Sequence, residues 1–186
     1  MASVGLVRGE FRGKSLVMAI LISPMIAPVA IIAVGMLFFF VHISLLNSYF
    51  GLVVAHALLG VPCVVITVTA ILKNYDSNLS RAAASLGASP WLVFRKVTLP
   101  LIAPGVFSGA LFAFAASFDE VVVALFLASP AQRTLPIQMF AGIRENLDPA
   151  IAAAASLMVG ASLILLVVIE LLRRRGERLR HSPVTA

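Results

Sequence analysis

Residues 49–72 read YFGLVVAHALLGVPCVVITVTAIL, a run without a single lysine, arginine, aspartate or glutamate. About 20 such residues in a helix cross the hydrocarbon layer of a bilayer. The run is continuous rather than alternating, so it predicts a spanning helix that satisfies its own backbone hydrogen bonds in lipid, not a strand of a barrel. Three further apolar runs lie at about 15–41, 102–127 and 150–172. Composition agrees, because a chain of 186 residues that is 61% hydrophobic and 12% charged has more apolar surface than a soluble core could hide. The predicted fold class is an all-α integral membrane protein with four transmembrane helices. Residues 15–172 form its membrane domain, 1–14 a cytoplasmic lead-in and 173–186 a basic cytoplasmic tail.

The net charge of +6 invites a nucleic-acid reading, but the positions of the basic residues argue for a membrane. With the N-terminus in the cytoplasm, Arg8, Arg12, Lys14, Lys73, Arg81, Arg95, Lys96, Arg173, Arg174, Arg175, Arg178 and Arg180 fall on that side. Only Arg133 and Arg144 fall outside. This positive-inside bias predicts that both termini are cytoplasmic, with the lipid bilayer as a partner and nucleic acid not. Cys63 stands alone inside a predicted span and reads as a packing thiol. Pro24 and Pro28, four apart in the first run, predict a kink there. His56 is the ionisable residue of the second run; it is either a group on a pathway or a neutral side chain bonded to a neighbouring helix.

Between the second and third runs, residues 76–99 describe two short helices joined by a tight bend. Asp76 suits an N-cap, and Leu79, Ala82, Ala83 and Leu86 recur at one-turn spacing. Gly87 suits the left-handed position that ends a helix. Ser89 and Pro90 then supply an N-cap and a first-turn proline for the next helix, which is predicted to stop before Pro100. Trp91 and Phe94 share one side of that second helix. On physical grounds alone, such an apolar hairpin either rests on lipid or docks on a soluble partner.

Arg81-Ala82-Ala83, Gly87-Ala88 and Leu99-Pro100 resemble the EAA loop of binding-protein-dependent ABC permeases, a family with the MetI-like fold. Ser117-Phe118-Asp119-Glu120-Val121-Val122-Val123, Thr134 to Phe140, Leu147-Asp148-Pro149 and the Gly51, His56, Pro62 pattern look like the spermidine/putrescine-type branch of it. The resemblance covers about Gly9 to Arg173. It implies that the loop docks on separate ABC ATPase subunits through Arg81, Ala82, Ala83, Leu86, Gly87, Ala88, Trp91, Phe94, Leu99 and Pro100. It also implies a second permease subunit, an extracytoplasmic substrate-binding protein, a bacterial inner membrane and a polyamine-like organic cation as cargo. Related permeases handle aminoalkyl phosphonates, opines or ferric iron. Arg81 departs from the family, which usually has glutamate there. Such permeases usually have six spans, so the first two are expected to be missing from this chain, and a truncated, non-functional form is one alternative.

Asp119 and Glu120 stand near the outer end of the third run, where adjacent acids need water, a cation or hydrogen bonds. With Phe118 and His56 they are the candidate substrate path. Adjacent helix positions point about 100° apart, so either one lines the path while the other bonds to a neighbouring helix, or both cap the outer end of the span. A secondary transporter driven by an ion gradient, using Asp119, Glu120 and His56 as proton-linked groups, is the competing function class. Gly9 to Ser15, GEFRGKS, mimics a phosphate-binding loop but is one residue short of the required spacing and lacks a preceding buried strand. No metalloprotease, zinc or serine-hydrolase motif occurs, so no catalytic site, metal or cofactor is predicted.

Overall fold

The structure, a computed structural model, describes residues 2–9, 11–145 and 149–180; Leu147, Asp148 and the end of the basic tail lie outside the described residues. Among the described residues the regular structure is helical throughout. Helix α1 (Ala2–Arg8) is followed by a turn at Gly13, φ +95°, from which α2 (Lys14–Ile26) starts.

The first apolar run is more than kinked. It divides into α2 and α3 (Val29–His42), bent by 107° at the break. Pro28 forces the residue before it out of the helical region, and Ala27 is accordingly extended at φ −71°, ψ 145°. Pro24, by contrast, sits inside α2. The carbonyl of Ile20, which loses its donor to that proline, accepts instead from Ser23 Oγ at 2.8 Å.

Helix α4 (Tyr49–Lys73) begins at Ser48, whose Oγ accepts from the N–H of Gly51 at 2.9 Å. After α5 (Ser77–Ser85) and α6 (Pro90–Val93) comes the principal departure from expectation. The helix does not stop before Pro100 but continues through a π-helical turn (Phe94–Thr98) into α7 (Leu99–Phe118). The N–H of Leu99 reaches back to the carbonyl of Phe94, and this wider turn lets the proline ring be accommodated without ending the helix.

The run at 102–127 is likewise interrupted. Helix α7 ends at Phe118, and α8 (Val122–Leu127) resumes after Asp119–Val121. A 3₁₀ turn (Pro130–Gln132) leads to α9 (Leu135–Glu145) and α10 (Pro149–Arg180). The last helix passes the expected end of its span at 172, because leucine, arginine and glutamate are strong helix formers. Tyr49–Lys73, Pro90–Phe118 and Pro149–Val168 are each long and apolar enough to cross a membrane; α2 and α3 reach that length only as a pair.

Helices α4 and α7 form the central pair. Gly105 and Gly109, one turn apart on α7, let the backbones approach. A Cβ on Gly109 would meet Thr67 Oγ1 and stand 2.7 Å from Val64 Cα. Ala33, Phe40, Ala55, Val123 and Leu127 bury one core between α3, α4 and α8, and Val68, Leu72 and Ile102 bury another against α1. At the end of the bundle near Ser48, the N–H of Asn47 donates to Leu127 O at 3.2 Å and Gln132 Nε2 donates to Asn47 O at 3.0 Å. These bonds clamp the turn after α3 to the segment after α8.

Candidate functional site

Between α4, the last two turns of α7 and the start of α9 lies an open cavity of about 920 Å³. Its walls are mostly apolar, with His56, Ser117 and Thr134 among the few polar side chains. His56 Nδ1 lies 2.7 Å from Ser117 Oγ, joining α4 to α7 across 61 residues of sequence. His56 is thus bonded to the neighbouring helix and also lines the cavity. Thr134, also on the cavity wall, has its Oγ1 buried without a partner among the described residues. Phe118 is on the same wall and stacks on Phe114, ring centroids 5.9 Å apart.

Asp119 and Glu120 are not among the side chains that line this cavity. The break between α7 and α8 gives them different tasks. Glu120 Oε1 accepts from the N–H of Val123 at 2.7 Å, supplying the cap that Val121 cannot. Asp119 is exposed at the end of α7. No group of three or more histidine, cysteine, aspartate or glutamate side chains is placed to hold a metal among the described residues.

The loop between α4 and α6 forms by local rules. Asp76 Oδ1 accepts from the N–H of Asn78 at 2.9 Å, and α5 closes in a Schellman motif. Gly87, at φ +85°, donates to Ala84 O at 3.0 Å, and Ala88 donates to Ala83 O at 3.2 Å. Ser89 then caps α6, and Trp91 stacks on Phe94 at 5.6 Å. The bend leaves apolar side chains in the open. Leu86 is 88% exposed and Trp91 62%, with Leu79, Leu92 and Ala82 also exposed. Ala88, Trp91 and Phe94 line a groove of about 520 Å³ closed on one side by Val4 of α1. Arg81 is held on its own helix, donating to Asn78 Oδ1 at 2.9 Å and Ser77 Oγ at 3.3 Å. Leu99 and Pro100 lie at the exposed start of α7, beyond the hairpin.

The family of binding-protein-dependent transport system inner membrane components matches residues 1–178. The chain belongs to that family. It is 34% identical over 177 residues to the spermidine/putrescine transport system permease protein PotC of Haemophilus influenzae, covering 95% of this chain and 69% of that one. The corresponding protein of Escherichia coli K12 is 32% identical, over 94% of this chain and 66% of its own length. The putrescine transport system permease protein PotI of E. coli K12 is 33% identical, over 99% and 68%. This permease thus spans about two thirds of the length of the relatives it matches.

Sequence reasoning did not single out Ser117 and Thr134 as site residues, nor the paired glycines of α7 as the close contact with α4. Gly105 and Gly109 carry a readable signal, small residues four apart in an apolar run. Ser117 and Thr134 each open a stretch that resembles the family, but that does not reveal their role, since their partners and neighbours lie far away along the chain.

Proposed function

We propose that the chain forms part of the substrate path of an ABC importer and couples it to separate ATPase subunits through residues 76–99. The observation that carries this reading is the loop. A hairpin whose ends are capped and whose turn is locked presents Leu86 and Trp91 to the outside, as a preorganised docking element does. Family membership favours a protein partner over lipid for that face. A second permease subunit completes the path, and an external binding protein delivers cargo to it. Both termini lie in the cytoplasm, on the side rich in arginine and lysine.

The cargo is a small organic cation of the polyamine class. Its support is the naming of PotC and PotI for spermidine and putrescine, together with two carboxylates beside a cavity that is otherwise apolar. Asp119 at the mouth attracts the cation, while Glu120 and His56 set the local charge at the cavity wall.

Co-purification with the cognate ATPase and uptake in membrane vesicles test the reading. Gly87→Pro places a residue locked near φ −65° where the turn needs φ +85°, and Leu86→Asp puts a charge on the docking face. Both should abolish ATPase retention and ATP-dependent uptake while leaving membrane insertion intact. Normal ATPase retention in both variants would remove the docking role. Uptake that survives loss of the ATPase and collapses with an uncoupler would assign the chain to secondary transport.

A further inference from the structure

The sequence GKS at residues 13–15 opens α2 and takes no part in the coupling loop or the cavity already described. It lies at the loop end of the bundle, where a separate cavity of about 550 Å³ is enclosed by α1, the first turns of α2 and the last turns of α4. Four features of this cavity point to one ligand chemistry. Gly13 has no side chain to cap α2, so the first N–H groups of a 13-residue helix face outward with the positive end of its dipole. Lys73 and Lys14 line the cavity. Lys14 is held across its mouth, donating to Val7 O and Gly9 O at 3.3 Å each. Thr69, one turn before Lys73 on the same face of α4, also lines it. Thr69 is only 5% exposed, yet its hydroxyl has no partner among the described residues. No carboxylate is among the described residues lining the cavity.

Two cations, an uncapped helix start and an unpaired buried hydroxyl suit a phosphate. The remaining walls, Leu6, Val7, Phe11 and Met18, are apolar, and Leu16 and Ile20 continue an exposed apolar strip along α2. We propose that this cavity seats the phosphate headgroup of an anionic phospholipid from the leaflet on the loop side. The glycerol backbone lies against the apolar wall, and the acyl chains run along α2. The helix start, with Lys14 and Lys73, holds the phosphate, and Thr69 supplies a hydrogen bond from below. A nucleotide is the weaker occupant, because the walls offer hydrocarbon where a base and ribose would need polar partners.

Native mass spectrometry of the full chain, purified in mild detergent and given equal phosphatidylglycerol and phosphatidylcholine, measures the preference. Phosphatidylglycerol should be retained about tenfold over phosphatidylcholine, and Lys73→Gln should cut that ratio about fivefold. Thr69→Val should cut it several-fold, whereas Thr69→Ser, which keeps the hydroxyl, should not. Equal retention of the two lipids would overturn the assignment, as would a ratio that Lys73→Gln and Thr69→Val leave unchanged. Displacement of the lipid by millimolar inorganic phosphate would also overturn it, marking the site as one for a soluble anion. These measurements involve neither ATPase nor cargo, so their failure would leave the transport reading standing.

Discussion

His56 and Ser117 form one polar contact that joins two helices and faces a cavity. An interhelical hydrogen bond between side chains in a membrane is worth only about 0.6 kcal/mol on average. Ser117→Ala should therefore shift unfolding in mixed micelles by about that amount, yet reduce uptake several-fold, because it frees the imidazole from its position on the cavity wall. If uptake fell only in proportion to the protein that inserts, His56 and Ser117 would be a structural pair alone. The sequence already marks His56, since an ionisable group in an apolar run is conspicuous by itself. Its partner is silent, because a serine near a helix end is ordinary until α4 and α7 are brought side by side. Asp119 and Glu120 were legible as residues of consequence that point different ways, but not which of them bonds and which stays open. What divides them is a helix break that leaves one exposed and turns the other into a cap.

At the scale of elements, the hairpin at 76–99 was readable almost atom by atom, because caps, turns and prolines act over three or four residues. Asp76, Gly87 and Ser89 each occupy the position their chemistry favours. The same local rules failed at Pro100, where a π turn several residues upstream relieves a clash that otherwise ends a helix. They also understated Pro28, for a proline announces a break but not its angle. Close approach of α4 and α7 is an element-scale property with its own test. Gly109→Val places a branched side chain where even a Cβ stands 2.7 Å from the Val64 backbone, which can yield only if the helices part. This variant should destabilise the protein by about 1–3 kcal/mol, the usual cost of overpacking, read as a lower detergent-unfolding midpoint. Gly160→Val, where the added Cβ meets nothing, should leave the midpoint near that of the parent.

For the whole molecule, α1 touches the groove through Val4 and the cavity through Ala2 and Ser3, and the helical stretch Pro90–Phe118 runs the whole way between the two. Its first turn carries Trp91 of the exposed hairpin, and its last turns carry Phe114, Ser117 and Phe118 of the cavity. Replacing Phe107 and Ser108 together by glycine should soften this connection without changing a residue that lines the cavity or the groove. ATPase co-purification should persist while ATP-driven uptake falls at least tenfold, and loss of both activities together would mean that the helix serves only to hold the fold. Twenty-nine helical residues make a rod about 44 Å long, so a tilt of only about 5° applied at the hairpin moves the far end by about 4 Å. That is about the width of a methylene chain. In the proposed coupling, a small rotation of a motor at one membrane face would be geared up into opening or shutting a passage of molecular bore at the other.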